Sequence, residues 1–321
     1  MKTSVLFGIV SLAALCALPP AGEAAAQAAT QAATKTKIYV SIAKTDDRFI
    51  DILREAITKA GNADPDVDLT VAIANNDGPT QLGQVRDAIA AHAGAVILLG
   101  VDGKTEIAAG DMAAKGKTPL VFLNRRPPQD QFNGPVSIVS SNDLVAGRLQ
   151  MRLIADKLHG AGNVVILRGE EGHPAAIERT EGVKEILAKQ PGIHLVQEAT
   201  GNWKRDQGEQ LITQWLASGQ HIDAILCNND EMAMGAISAL KKANIPAGKV
   251  LVAGVDGTPD ALDAIRSGYL TLSLLQNAKA QGEQSLVDAK KFADKQYADV
   301  YDWVPYELIL PSNVEQYAKA N

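Results

Sequence analysis

Cysteine, aromatic residues and excess basic charge are all scarce in this chain of 321 residues. Its two cysteines are Cys16, in an apolar leader, and Cys227, so the rest of the chain cannot form an internal disulfide. We expect Cys227, inside the strand-like run AILC, to be a buried apolar residue. The formal net charge of -6 disfavours binding to nucleic acid or to an anionic lipid surface.

Long apolar runs are also missing after the first residues, since none approaches the roughly 20 residues that a membrane-spanning helix needs. The amino terminus has Lys2, an apolar run from Val5 to Leu18 and small residues at 24–28, which is typical of a secretory signal peptide. We expect a signal peptide at 1–26, a flexible Ala/Thr/Gln-rich segment at 27–36 and an exported, soluble protein.

Simple catalytic motifs are absent as well. There is no Walker loop, no nucleophile elbow and no paired-cysteine zinc spacing, and the five histidines are scattered. We therefore expect no cofactor, no metal and no enzymatic activity. An exported carbohydrate-active enzyme remains an alternative, because its two carboxylates could come from distant parts of the chain.

What the chain does contain is a regular alternation of strand-like apolar runs with helix-like segments. The pattern runs from KIYVSI at 37–42 to LVFL at 120–123 and restarts at PVSIVSS, 135–141. Such alternation predicts parallel βαβ units. The predicted fold class is α/β, with two doubly wound parallel-sheet domains and a cleft between them.

Polar residues follow five of the strand-like runs, at the point where each run ends. They are Asp46 and Asp47 after IYVSIA, Asn124 and Arg125 after LVFL, His173 after VVILRGEEG, Asn228 to Asp230 after AILC, and Asp256 after VLVAGV. Ligands of open α/β sheets bind beyond the carboxyl ends of the strands. The pattern therefore predicts one binding site with several hydroxyl-binding groups.

Five longer motifs carry a family resemblance that covers about residues 37–319. They are TDDRF at 45–49, PLVFLNRRP at 119–127, GEEGHPAAIERTEGV at 169–183, CNNDEMAMGAI at 227–237 and VAGVDGTPDAL at 252–262. With them the chain resembles the periplasmic sugar-binding proteins of ABC importers, in the ribose and galactose group. NRRP, RLQM at 148–151 and ERTEGVKEIL are most similar to binders of myo-inositol and rhizopine.

The resemblance implies a type I periplasmic binding fold whose two lobes close over one sugar or cyclitol, and a periplasmic location. The lobes would comprise residues 37–140 with 278–303 and residues 141–277 with 304–321. Three crossings, near 140–142, 275–278 and 300–306, would form the hinge. The implied partners are a small sugar or cyclitol and the membrane permease of an ABC importer, with a chemoreceptor also compatible, and the protein would be a monomer.

The resemblance also implies ten ligand-binding residues. They are Asp47, Phe49, Asn124, Arg125, His173, Arg179, Trp203, Asn229, Asp256 and Gln276. The galactose-type pattern has an acid two residues after the histidine, where this chain has Ala175, and the calcium-binding loop of that type is missing. Myo-inositol or a pentose is therefore expected to bind better than glucose or galactose.

Some of these roles have structural alternatives. Asp46 competes with Asp47 for one position, and Asp230 is expected to cap the following helix rather than contact ligand. Phe49 and Trp203 could be core residues. Trp203 is expected to lie outside the core, because it stands in the polar turn GNWKRD, which favours stacking on a sugar.

The remaining rival is the ligand domain of a lactose-repressor-type regulator, which has the same two-lobed plan. Such a regulator needs a DNA-reading helical headpiece before the first strand. This chain has a signal-peptide pattern there.

Overall fold

The computed structural model describes residues 35–317. The predicted signal peptide and nearly all of the predicted flexible segment lie outside the described residues. None of the described helices is both long and apolar enough to cross a bilayer. Residues 36–317 form one compact unit.

The described strands and helices follow one another in the predicted alternation. The strands are β1 (Thr36–Ile42), β2 (Val67–Ile73), β3 (Ala95–Leu99), β4 (Leu120–Leu123), β5 (Val136–Ser140), β6 (Ala161–Arg168), β7 (Gly192–Thr200), β8 (Ala224–Cys227), β9 (Leu251–Ala253), β10 (Ser273–Leu275), β11 (Tyr301–Trp303) and β12 (Glu307–Ile309). The helices are α1 (Arg48–Ala63), α2 (Gly78–Ala90), α3 (Gly103–Lys115), α4 (Asp143–Lys157), α5 (Pro174–Leu187), α6 (Arg205–Ala217), α7 (Asp230–Lys242), α8 (Pro259–Arg266), α9 (Ala278–Ala293) and α10 (Val314–Tyr317).

A six-stranded parallel sheet organises the first half of the molecule, in the order β11-β5-β4-β3-β1-β2. Strands β3 and β4 are apolar and fully buried, as expected of parallel strands covered on both faces. Helices α1 and α9 pack on one face through Leu53 and Leu286, and α2 and α3 pack on the other through Val85 and Ala109. The first half is therefore doubly wound.

A four-stranded parallel sheet, in the order β7-β6-β8-β9, organises the second half. Helices α4 and α5 cover one face, and α6, α7 and α8 cover the other. The antiparallel pair β10-β12 adjoins β9 through isolated bridges. Cys227 on β8 is a free thiol buried in this core, which confirms its predicted role. The fold class is confirmed: two sheet-centred α/β halves.

The chain passes between the two halves three times, because β5, α9 and β11 belong to the first half and α4, β10 and β12 to the second. The passages lie at residues 141–142, 276–277 and 304–306. These positions fall within the three predicted crossings. Whether the halves are separate domains that move at these points remains a prediction.

Candidate functional site

A cavity lies where the carboxyl ends of strands from the two sheets face each other, with about 720 Å³ of atom-free space, including the part open to solvent. The ten residues predicted from the sequence all line it: Asp47, Phe49, Asn124, Arg125, His173, Arg179, Trp203, Asn229, Asp256 and Gln276. The structure thus brings the predicted residues together, and their contact with a ligand stays a prediction.

Three of these side chains are helix N-caps. Asp47 accepts from the Ile50 N–H at 3.2 Å, His173 Nδ1 from the Ala175 N–H at 3.1 Å, and Asn229 Oδ1 from Met232 N–H at 3.0 Å. A cap satisfies one of the free N–H groups at the start of a helix. Each side chain is thereby fixed on one side and faces the cavity with the other.

The capping residue of α7 is Asn229, so the expectation that Asp230 is the cap is wrong. Asp230 is instead the first helical residue, and its buried carboxylate accepts from the Thr258 N–H, the Thr258 hydroxyl and the Ser273 hydroxyl. Asp230 is not among the residues that line the cavity. It ties α7 to the loop that carries Asp256.

Two carboxylates, one from each half, remain available to a ligand. Asp256 is 6% exposed, and its carboxylate receives no hydrogen bond from any described residue; its one ion-pair contact is Arg179, whose Nη1 lies 3.8 Å away. Burial raises the pKa of Asp256 well above its ordinary value, against the opposing charge of Arg179. Burial also raises the pKa of Asp47, whose cap bond lowers it in part.

Arg179 is almost fully engaged by the protein itself. Its Nε donates to Asp143 at 2.7 Å, Nη1 to the carbonyl of Asn228 at 2.6 Å, and Nη2 to both Gln276 Oε1 and the Tyr306 hydroxyl at 2.9 Å. A guanidinium has five N–H donors. Only one is therefore left for a ligand, and Arg179 mainly fixes the groups around it.

Arg125 is held from its own half and reaches across the cleft. Its Nη1 donates to the carbonyls of Gly100 and Val101, and Nη2 lies 2.8 Å from His173 Nε2. Glu106 is a buried neighbouring carboxyl group, and burial raises its pKa to about 8, against the opposing charge of Arg125. Both Glu106 carboxyl oxygens and the Arg125 Nε lack a hydrogen-bond partner among the described residues.

The two aromatic candidates are core residues and cavity walls at once. Phe49 and Trp203 are 6% and 8% exposed and belong to the cores of the two halves. The expectation that Trp203 lies outside the core is therefore wrong. Its ring meets His173 edge-on, with centroids 5.1 Å apart, and a Cβ at Gly169 would lie 2.0 Å from it, so only glycine fits there.

Three of the site residues have a positive φ: Asn124 at 66°, Trp203 at 64° and Asp256 at 124°. For residues with a Cβ this region is strained, by roughly 1–3 kcal/mol each, and such strain concentrates at functional sites. The positions of these residues at strand ends in the sequence do not predict their positive φ values.

Ion pairs join the two halves around the cavity. Lys44 bonds Glu170 at 2.9 Å, Asp46 bonds Lys204 at 2.7 Å, and Arg126 bonds Glu178. Asp46 is thus committed to Lys204 and does not line the cavity, whereas Asp47 does. With these pairs formed the halves are in contact across the cleft.

Several cavity residues were not among the sequence candidates. They are Lys44, Ile50, Arg126, Ser140, Ser141, Asp143, Pro174, Ala175, Glu178 and Trp303. Lys44 directly precedes the TDDRF motif and Arg126 lies within NRRP, so their positions beside these motifs were an available signal. No group of three or more metal-ligating side chains occurs within residues 35–317.

Comparison with known proteins decides the family. The family model described as the periplasmic binding protein domain matches residues 38–296. The chain belongs to the periplasmic binding proteins. This periplasmic binding protein is 37% identical over 287 residues to a candidate rhizopine-binding protein of Rhizobium meliloti, covering 88% of this chain and 93% of that one.

Two further relatives bind polyols, according to their descriptions. A xylitol-binding protein of Mycolicibacterium smegmatis is 34% identical over 231 residues, with 71% of this periplasmic binding protein and 63% of that protein covered. The structure of an ABC transporter solute binding protein from Bacillus halodurans C-125 with bound myo-inositol superposes with a TM-score of 0.83 at 35% identity, over 91% of this chain and all of that one.

Proposed function

We propose that this protein captures a monocyclic polyol, with myo-inositol as the first candidate, and delivers it to the permease of an ABC importer. The observation that carries the proposal is the set of hydrogen-bonding groups left open at the cavity. A hydroxyl group both donates and accepts one or more hydrogen bonds. A polyol therefore needs donors and acceptors side by side.

The open groups are of both kinds. Asp256 has two unbonded carboxylate oxygens, and Asp47 has one beside its cap bond. The amide nitrogen of Gln276 and one N–H of Arg125 Nη2 supply donors. Hydrogen bonds to charged groups contribute roughly 1.5–3 kcal/mol each. Flat rings of Phe49 and Trp203 offer apolar surface for the C–H faces of the same ring.

The relatives support a polyol as the ligand, since those with about 35% identity are described as binding rhizopine, xylitol and myo-inositol. The family supports a periplasmic location, a permease partner and binding without catalysis. We further propose a monomer, with a chemoreceptor as an additional compatible partner and no role in binding nucleic acid. A lactose-repressor-type regulator and an exported carbohydrate-active enzyme are the rival assignments.

A thermal-shift panel of inositols, pentoses and hexoses on the mature protein tests the ligand class. A ligand at 100 times its Kd stabilises by about 2.7 kcal/mol, so myo-inositol should raise the Tm by several degrees. Galactose and glucose should raise it less. A larger shift with galactose would contradict the ranking, and a chemically altered product after incubation would favour the enzyme.

A matched pair of cap substitutions links the binding to this cavity. Asp47 and Asp77 each cap a helix of the first half, but Asp77 is exposed and does not line the cavity. Asparagine is as good a cap as aspartate. Asp47→Asn should lower the myo-inositol affinity about tenfold in calorimetry, while Asp77→Asn should leave it unchanged. If both substitutions lowered the affinity equally, myo-inositol would bind outside this cavity.

Closure is the proposed mechanism. Neither half can surround a small ring alone, so contacts from both halves to the ligand exist only in the closed form. The ligand therefore binds the closed form more tightly than the open form, and this difference in binding free energy shifts the population toward the closed form. The three passages at 141–142, 276–277 and 304–306 would bend. Small-angle scattering should show a smaller radius of gyration with saturating myo-inositol than without it.

A further inference from the structure

Tyr306 does not line the cavity, although its hydroxyl is bonded to two residues that do. The hydroxyl oxygen lies 2.9 Å from Arg179 Nη2 and 2.7 Å from Asp143 Oδ1. Since a guanidinium only donates, the hydroxyl accepts from Arg179 and donates its single proton to Asp143. Burial raises the pKa of Tyr306 well above its ordinary value, so the proton is retained at neutral pH. The direction of both hydrogen bonds is therefore defined.

Through this hydroxyl, Arg179 joins all three passages between the halves. Its Nε donates to Asp143, directly after the first passage, and its Nη2 donates to Gln276 of the second passage and Tyr306 of the third. Each of these residues adjoins the second half: Asp143 begins α4, Gln276 follows β10, and Tyr306 packs against the core beneath α4 and α5. These bonds therefore do not depend on the cleft being closed.

The third passage is also tied to the first half, one residue before Pro305. The Val304 N–H donates to the carbonyl of Ser140, the last residue of β5, at 2.8 Å. Val304 is thus held by the first half and Tyr306 by the second. Pro305 between them is exposed and has no N–H to donate. As long as the Tyr306 hydroxyl is bonded, a bend of this passage is confined to one residue.

We propose that Tyr306 is a positioning residue for ligand capture, which acts through Arg179 by tying the third passage to the other two. The inference rests on the proposed closure and deepens it. With the hydroxyl bonded, the three passages bend together, and the halves of the ligand-free protein have few relative orientations. Without it more orientations are populated, so a smaller fraction of the ligand-free protein can close on a ligand.

The persistence of the Tyr306 bonds without ligand is the first test, and it needs no substitution. NMR on protein with ¹³C-labelled tyrosine rings measures how fast each hydroxyl proton exchanges with solvent. Tyr306 should exchange about tenfold or more slowly than Tyr297, which is 77% exposed, both without ligand and with saturating myo-inositol. Exchange as fast as that of Tyr297 in the ligand-free protein would overturn the proposal, since the bonds would then form only on closure.

A pair of tyrosine substitutions is the second test. Tyr306→Phe removes only the hydroxyl and keeps the ring. Tyr317→Phe is the matched control, because the Tyr317 hydroxyl donates to Glu307 at 3.2 Å and touches neither Arg179 nor a passage. A merely structural effect of losing a tyrosine–carboxylate bond should appear in both variants as a lower Tm. An effect on the relative orientation of the halves should appear only in Tyr306→Phe.

Spin labels report that orientation. Lys59→Cys on α1 and Gln214→Cys on α6 place one label on each half at exposed positions, and the buried Cys227 is inaccessible to the label. Pulsed electron resonance on the ligand-free protein should give a broader distribution of distances in Tyr306→Phe than in the native protein. Tyr317→Phe should give the native distribution. A native distribution in Tyr306→Phe would overturn the proposal.

Calorimetry gives the consequence for binding. Tyr306→Phe should weaken myo-inositol binding by about threefold to tenfold, and every other accepted ligand by the same factor, because the hydroxyl acts on the ligand-free protein. Tyr317→Phe should bind as the native protein does. A factor that differs between ligands would overturn the proposal, since Tyr306 would then shape the cavity.

The ligand-free measurements separate the two possible failures. If no inositol or sugar binds the native protein, the proposed function fails, while hydroxyl exchange and the distance distributions still test the tie at Tyr306. If myo-inositol binds but Tyr306→Phe leaves both the distances and the affinity unchanged, only the present inference fails.

Discussion

The two halves of the cavity are built in different ways. Arg179 of the second half connects Asp143 and the Asn228 carbonyl with Gln276 and Tyr306, which lie in two of the passages, in a buried network that uses four of its five N–H donors without ligand. In the first half, Asp47 and Asn124 are each fixed by a single side-chain bond, to Ile50 and to Gln281. The second half is therefore a preorganised platform, and the first half is a cover that completes the site when it meets the platform.

This difference between the halves predicts which substitutions should affect ligand binding, which should affect stability and which should affect both. Substitutions in the Arg179 network should affect the fold and the site together, because buried charges depend on one another there. Substitutions of groups that face the cavity alone should affect binding and spare the fold. Substitutions of cross-cleft pairs should affect only the balance between open and closed forms.

Arg179→Met is expected to have the largest effect. It leaves Asp143 and Asp256 without their buried counter-charge, and removing one partner of a buried pair costs about 3–5 kcal/mol. Urea unfolding should show that loss, and calorimetry should show no myo-inositol binding. Arg266→Ala, which removes exposed pairs with Asp263 and Glu315, is the control and should cost less than about 1 kcal/mol. Similar costs for both would mean that the platform is not preorganised.

Substitutions of Asp256 should come next and act on binding alone. Asp256→Ala removes a charged acceptor worth roughly 1.5–3 kcal/mol, so the affinity for myo-inositol should fall at least tenfold while the circular dichroism spectrum is unchanged. Unchanged affinity in calorimetry would remove Asp256 from the site.

Asp256 should also lower the free energy of unfolding at neutral pH. Since burial raises its folded pKa, the unfolded chain loses the proton more easily, and stability falls as the pH rises from about 3.9 through the folded pKa. At pH 7 the neutral Asp256→Asn should therefore unfold at equal or higher urea concentration than the native protein. A clear loss of stability would show that the Arg179 charge outweighs burial.

Sequence reasoning reached the fold class and the cavity residues because both depend on local patterns. Apolar runs such as AVILL and polar residues directly after a strand place groups at a known edge of a parallel sheet. It did not reach Tyr306 or the saturation of Arg179, since these depend on contacts between residues that lie 36 to 127 positions apart. Asp230 was predicted as the cap of α7 in place of Asn229, because either residue type can cap a helix.

Lys204→Ala tests the cover itself and should have the smallest effect. Lys204 of the second half bonds Asp46 of the first at 2.7 Å, and both side chains are solvent-exposed. Exposed pairs contribute about 0.2–1 kcal/mol, so myo-inositol affinity should fall no more than about fivefold, and the loss should shrink in 0.5 M salt.

Lys242→Ala is the matched control for that prediction, since Lys242 pairs with Glu209 inside the second half. Lys242→Ala removes a surface pair without touching the cleft, so affinity should not change. Because the Asp46 pair exists only when the halves meet, Lys204→Ala should also weaken every accepted ligand by the same factor. A loss that differs between myo-inositol and a second ligand would place Lys204 in contact with the ligand rather than in the closing surface.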